Sequence, residues 1–271
     1  MSGVILALLE RAATAAPVLA AARRAAQLMR ATRINALAIR TPPIDILSPT
    51  DGALALPEDG KLRAAETARL ADLRHIFNTW AAESAAAAAE WIELEGWAES
   101  LVDEWGERAD LIVKQRRSGP ETDQERRAQQ AALFDTGRPV LLVPPDPRPA
   151  SFGHRVVIAW RDDARTTQAV LAALRWLGEA EIHILVGTRR WEPPPTMPEI
   201  FAEHGANATL HILPPSGQRA FGEALLSHAH ALNADLLVLG AFAHPMLFGL
   251  IPGGVTKHIL AHADLPVLMR A

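Results

Sequence analysis

The sequence predicts an α/β protein made of two tandem, doubly wound parallel sheets related by a pseudo-twofold axis. Three observations predict it. Short apolar runs alternate with helical stretches along the whole chain, and that alternation calls for parallel strands joined by crossover helices. The second half repeats the first. Between them lies Pro144-Pro145-Asp146-Pro147-Arg148-Pro149, a stiff, extended proline segment that reads as a linker.

At 271 residues the chain is comfortable for two domains of ordinary size, expected at 1–145 and 151–271. Its 49% apolar content is enough to fill real cores and excludes wholesale disorder. The net charge of −4 gives no pull towards nucleic acid or an anionic membrane surface. Cysteine is absent, which removes disulfides, thiol catalysis and zinc–thiolate sites together. No run reaches the roughly 18 apolar residues of a spanning helix. A soluble, cytoplasmic protein is expected.

In the first half, Val4–Leu9 is a continuous apolar run and a first strand. Residues 12–31 place Val18, Leu19, Ala22, Ala26 and Met29 on one helical face, with Arg23, Arg24 and Arg30 towards water. Ile34–Ile39 is a second strand, stopped by Thr41-Pro42-Pro43. Residues 44–60 read as an irregular crossover loop. Lys61 to about Ala89 is rich in alanine and charge without a breaker, hence helical. Trp91–Leu94 alternates like a half-solvated strand, Ala98–Arg108 is an amphipathic helix, and Ala109–Val113 and Pro139–Val143 are buried strands. Arg116, Arg117, Arg126 and Arg127 are interleaved with Glu121, Asp123 and Glu125, so a solvated, ion-paired face is expected. No glycine loop follows Val113, and this half reads as structural.

The second half repeats these anchors in order. Val4–Ala7 matches Val156–Ala159, Val18–Ala20 matches Val170–Ala172, and Ala109–Val113 matches Ala234–Val238. Leu133 and Pro139–Leu141 match Leu260 and Pro266–Leu268, which marks a duplication. Strands are expected at His154–Trp160, Glu181–Gly187, Ala208–Leu213, Leu236–Leu239 and Pro266–Met269. Helices are expected at 166–177, 199–204 and 219–232, and a proline-rich loop at 193–198. Between the last two strands comes a Gly/Pro-punctuated loop, and Gly253-Gly254 leads into a helical Val255–Leu260. Strand, glycine loop and helix start together present backbone N–H groups and a positive helix end to an anion.

With these residues in view, the stretch Asp235–Met269 resembles the universal stress protein family. That family's fingerprint is G-x2-G-x9-G-(S/T) after the fourth strand, followed by a helix and a P-V-L strand. Gly240, Ala243, Gly253 and Gly254 occupy its four positions with the right spacing. Ala243 replaces the second glycine and Gly254 the hydroxyl residue. The resemblance implies flavodoxin-like, five-stranded parallel sheets of order 3-2-1-4-5, with a ligand crevice between strands one and four. It implies ATP or another adenine nucleotide as the candidate ligand. The expected nucleotide-binding residues are Ala159, Trp160, Arg161, Val186, Gly240, Ala243, Gly253, Gly254, Val255 and Thr256. Family members that bind ATP carry an acid where this chain has Arg161, with Asp162 and Asp163 just beyond.

Other residues are candidates beside these. His258 and His262 share a helix face four residues apart, but no third ligand is placed near them, so no metal site is expected. Met246-Leu247-Phe248-Gly249-Leu250-Ile251 is apolar for a loop and is a candidate surface for a homodimer or another protein partner. No Ser-His-Asp set, paired carboxylates or Walker loop can be placed, so no catalytic residues are expected. The expected function is a non-enzymatic, cytoplasmic stress-response or regulatory module with weak or lost ATP binding in its second half. The alternative is a nucleotide hydrolase or transferase working at the Gly253–Thr256 helix start.

Overall fold

The computed structural model describes residues 3–42, 59–83, 87–116, 119–147, 151–188, 193–214, 218–241, 243–246, 249–252 and 254–271. The expected loop at 44–60, Arg117 and Gly253 therefore lie outside the described residues, wholly or, for the loop, in all but its last two positions. The chain divides into two compact units, Met1–Gln115 with Pro120–Thr136, and Arg116–Gly119 with Gly137–Ala271.

The first unit holds strands β1 (Gly3–Leu8), β2 (Ala31–Arg40), β3 (Ala88–Glu95) and β4 (Leu111–Gln115) in the order β3-β2-β1-β4. All of these pairs are parallel. Its helices are α1 (Ala12–Met29), α2 (Asp59–Ala82), α3 (Ala98–Gly106) and α4 (Asp123–Gln130). Helix α1 buries Val18, Leu19, Ala22 and Ala26 as the periodicity requires, and small alanines let it lie close on β1 and β2. It stops at Arg30, whose left-handed φ of 53° lets its N–H return to the carbonyls of Ala26 and Gln27. Arg23 is not simply solvated: it stacks over the Trp80 ring and donates to the Trp80 carbonyl. Helix α4, which the sequence reading did not separate, opens with a capping box. Thr122 accepts from the Glu125 N–H at 3.2 Å while Glu125 Oε2 accepts from the Thr122 N–H at 2.8 Å.

Two sequence expectations change here. Ala88 and Ala89, read as the end of the long helix, belong to β3, because register with Arg33 and Ile34 of β2 outweighs alanine's helical preference. The strand expected at 109–113 runs through Lys114 and Gln115, both buried.

The second unit holds β5 (Val140–Val143), β6 (Arg155–Trp160), β7 (Glu181–Gly187), β8 (Ala208–Leu213), β9 (Leu236–Gly240) and β12 (Val267–Arg270). The sheet order is β5-β12-β9-β6-β7-β8, so the second half's own strands run 5-4-1-2-3 as expected. They pair in parallel, and β5, the last strand of the first half of the sequence, joins this unit antiparallel to β12. Helices α5 (Ala164–Leu174), α6 (Glu199–Glu203), α7 (Gln218–Ala231) and α8 (Gly254–His262) complete it. The expected loop after β9 contains a hairpin, with β10 (Ala243–Met246) antiparallel to β11 (Gly249–Pro252). Side chains there, and residues 247–248, lie outside the described residues.

Arg116 departs most from expectation. The sequence pattern predicts a solvated face for it, yet it is 8% exposed, its Nη1 donates to the Leu260 carbonyl at 2.8 Å, and burial lowers its pKa. Arg126 and Arg127 do behave as expected, pairing with Asp123 and Glu99. The matched Ala-Asp anchors have a shared task. Asp110 Oδ2 accepts from the Val4 N–H at 2.8 Å, and Asp235 accepts from the N–H groups of Gly153, His154 and Arg155 at 2.8–3.2 Å. Asp110 thus pins the start of β1 to β4, and Asp235 the start of β6 to β9.

Candidate functional site

In the second unit a cleft of about 840 Å³ opens at the carboxyl ends of β6 and β7. Its lining includes Trp160, Arg161, Asp162, Val186 and Gly187 with the 193–200 segment. This is where an open α/β sheet offers a ligand seat, because the strands diverge there and leave room above their ends. Ala159 and Trp160 end β6, half-buried, and the Trp160 ring meets Phe201 edge-on at 5.9 Å. Trp160, Arg161 and Val186 thus come together around one cavity.

The polar groups at the β6 end are largely committed. Arg161, exposed, points its Nε at Asp163 Oδ2 across 3.1 Å. Asp163 also caps α5, its Oδ1 accepting from the Thr166 N–H at 2.9 Å. Asp162 is exposed on the cleft wall.

Gly240 ends β9, and Ala243 begins β10. Gly254 is exposed at the first position of α8, Val255 is half-buried, and Thr256 is 1% exposed. Thr256 is therefore turned into the fold and does not replace the hydroxyl that Gly254 lacks at the surface of the helix start. Helix α8 is held close by α7: a Cβ on Gly222 would lie 3.0 Å from the Cβ and Cγ of His258. His258 and His262 stack at 4.2 Å on the same helix. Among the described residues, no three His, Asp or Glu side chains converge where a metal ion could be held.

The first unit has a crevice that sequence reading missed. A cavity of about 500 Å³ sits beyond β1 and β2, between α2, α3 and α4. Leu8, Leu9, Leu37, Ile39, Leu62 and Val102 give it apolar walls. Glu10 lies at its lining, 16% exposed, 3.5 Å from the nearly buried Lys114 ammonium. Burial raises the Glu10 pKa, and Lys114 opposes that shift. Arg69 closes another side, donating to the Glu10 and Ile39 carbonyls and to Glu66. Arg11 pairs with Glu125 and reaches the Pro120 carbonyl. The available signal was Leu8-Leu9-Glu10-Arg11, an acid and a base directly after a buried strand.

The fold is shared with known structures. A universal stress protein from Archaeoglobus fulgidus DSM 4304 superposes with a TM-score of 0.71 at 15% identity, over 100% of this chain and 96% of that one. A putative universal stress protein from Pseudomonas aeruginosa UCBPP-PA14 gives 0.57 at 16% identity, over 98% and 92%. A functionally unknown protein from Pseudomonas aeruginosa PAO1 gives 0.58 at 15%, over 98% and 92%. No curated protein matches the chain. The model of the universal stress protein family matches residues 218–270, from α7 through the last strand. By that match, the second half of the chain, from α7 onward, is similar to the universal stress protein family. Across its full length the chain shares its fold with the Archaeoglobus fulgidus structure. No described helix of the chain is long and apolar enough to cross a membrane.

Proposed function

We propose that the chain is a tandem universal stress protein, a non-enzymatic, cytoplasmic stress-response or regulatory module whose second-half crevice binds adenine nucleotide weakly or no longer. The observation that carries the reading is the state of the β6 end. Arg161 stands where nucleotide-binding relatives place an acid, and it is paired with an Asp163 that is already spent on capping α5. The fingerprint substitutions act in the same direction. Ala243 costs about 1 kcal/mol wherever its position needs positive φ, and Gly254 supplies no hydroxyl. Whatever nucleotide or anion does bind is assigned to Gly240, Gly253, Gly254 and the α8 start, on the spacing of the fingerprint. Partner contact is assigned, on its apolar sequence alone, to residues 246–251.

The test is calorimetric titration of the purified protein with ATP, ADP and AMP. The expected result is a dissociation constant above about 100 μM, or no heat, corresponding to roughly 5 kcal/mol or less. Any residual binding disappears in Gly254→Asp, where a carboxylate meets the phosphates, and persists in Ser118→Asp. Steady ATP turnover abolished by Asp162→Ala would overturn the non-enzymatic reading in favour of a hydrolase. Submicromolar ATP binding would overturn the weakened site.

A further inference from the structure

We infer that the first unit's cavity is a binding site for an uncharged, largely apolar small molecule carrying one hydrogen-bond donor, which it presents to Glu10. Charge decides the class of ligand. Four acids line the cavity and each is already paired: Glu10 with Lys114, Glu66 with Arg69, Glu125 with Arg11, and Asp123 with Arg126. The two lining bases, Arg11 and Arg69, are the partners of two of those acids and also donate to backbone carbonyls. A charged ligand would enter a partly buried site with no counter-ion left among the described residues, and burying an unpaired charge is prohibitive. Phosphate is disfavoured for the same reason, so this crevice does not duplicate the nucleotide seat of the second unit.

One polar atom is left over. Glu10 Oε1 is buried and has no hydrogen-bond partner among the described residues, while its Oε2 faces Lys114. A buried acceptor without a donor costs about 1–3 kcal/mol, and a ligand N–H or O–H would recover much of that. The remaining walls are leucine, isoleucine, valine and alanine with three polar residues already in hydrogen bonds: the Thr41 N–H donates to Glu66, Thr122 accepts from the Glu125 N–H, and Gln124 accepts from the Ala98 N–H. The volume of about 500 Å³ falls in the ordinary range of small-molecule sites. Mostly apolar walls, closed ion pairs and one buried unmet acceptor among the described lining residues together specify a neutral hydrophobe with one donor.

The probes are 2-naphthol, naphthalene and 2-naphthoate, titrated into the full chain by fluorescence and calorimetry. 2-Naphthol should bind about 3- to 10-fold more tightly than naphthalene, the increment of one hydrogen bond, and 2-naphthoate should bind at least tenfold more weakly than either. Ala65→Phe places a ring at the cavity lining from an exposed helical position, and should cut both neutral affinities tenfold or more without unfolding the chain. Glu10→Leu combined with Lys114→Met removes the ion pair as a unit, so naphthalene should still bind while the preference for 2-naphthol falls to one. If that double variant does not fold, Ala65→Phe alone decides the site. The inference is overturned if neither neutral probe binds, if 2-naphthoate binds as well as 2-naphthol, or if Ala65→Phe leaves the affinities unchanged. The nucleotide titration is unaffected by any of these outcomes, so the two readings fail separately.

Discussion

Replacing Asp235 by alanine tests whether the repeated Ala-Asp anchor is a structural clasp. Asp235 is 5% exposed, and its two oxygens accept from three consecutive backbone N–H groups, with contacts of 2.8 to 3.2 Å. A hydrogen bond to a charged group contributes about 1.5–3 kcal/mol, and a donor left unsatisfied adds its desolvation cost. The three bonds share one carboxylate and are not additive, so the sum is discounted to about 3–4 kcal/mol. With a urea m-value near 2 kcal/mol/M, the midpoint of the unit's transition should fall by about 1.5–2 M. The corresponding Asp110→Ala change loses a single exposed bond to the Val4 N–H and should cost about 1 kcal/mol. Far-UV circular dichroism over a urea series reads both. Equal, small shifts in the two variants would refute the assignment, because three donors held by the buried Asp235 carboxylate should cost more to lose than one exposed donor at Asp110.

Other predictions rest on particular contacts. Arg116→Met removes the donor to the buried Leu260 carbonyl, and should destabilise by about 1–3 kcal/mol in the same urea assay; a neutral effect would mean the buried guanidinium contributes nothing net. Gly222→Ala forces a Cβ to within 3.0 Å of His258 where α7 and α8 cross, and should cost about 1–3 kcal/mol, whereas the same change at open, exposed Gly60 should cost nothing in packing. Acid stability should depend on Glu66 and Glu125. Burial raises their pKa values, but hydrogen bonds from Arg69 and Thr41, and from Arg11 and Thr122, outweigh it and leave both below the usual carboxylate value. Their contribution is then complete above about pH 4.5 and is lost as pH falls through the lowered folded values. Glu10, raised by burial, has the opposite sign: its contribution is present in acid and lost as pH rises through its folded value. Melting curves between pH 3 and 7 should show a flatter acid limb in the Glu66→Gln, Glu125→Gln double variant, and an unchanged limb would contradict the assignment.

The second half was legible in detail because its signals are local. Continuous apolar runs bounded by Gly, Pro or Asp mark β6 through β9 nearly to the residue, and the 5-4-1-2-3 order follows from the family resemblance carried by Gly240, Gly253 and Gly254. The hairpin after β9 was hidden, since Gly249 and Pro252 look like loop punctuation until the register Ala243↔Pro252 is known. In the first half the charges misled. Lys114 reads as a loop residue because a cation at a strand end normally faces water, and its burial depends on Glu10, a partner more than a hundred positions away. Arg116 hides for the same reason, its acceptor being the Leu260 carbonyl. The first-unit cavity is a property of how α2, α3 and α4 stand above the strand ends, which no periodicity encodes. Of the ten expected site residues, the cleft lining brings Trp160, Arg161 and Val186 together. Gly254 and Val255 stand at the start of α8, Thr256 is turned inward, and Gly253 lies outside the described residues.

The antiparallel seam between β5 and β12 bears on how this gene can be dissected. Val140–Val143 precedes the proline segment in sequence but lies beside Val267–Arg270. A fragment begun at residue 151, the natural place to cut, would lose that neighbour and bare one flank of a fully buried Val-Leu-Met strand. Unpaired apolar edges recruit other chains. Such a fragment would invite self-association of its own making, and its oligomeric state would report the cut and not the protein. A truncation that keeps residues 137–271 carries its own cover for that edge, and is the version from which the properties of the second unit can be read.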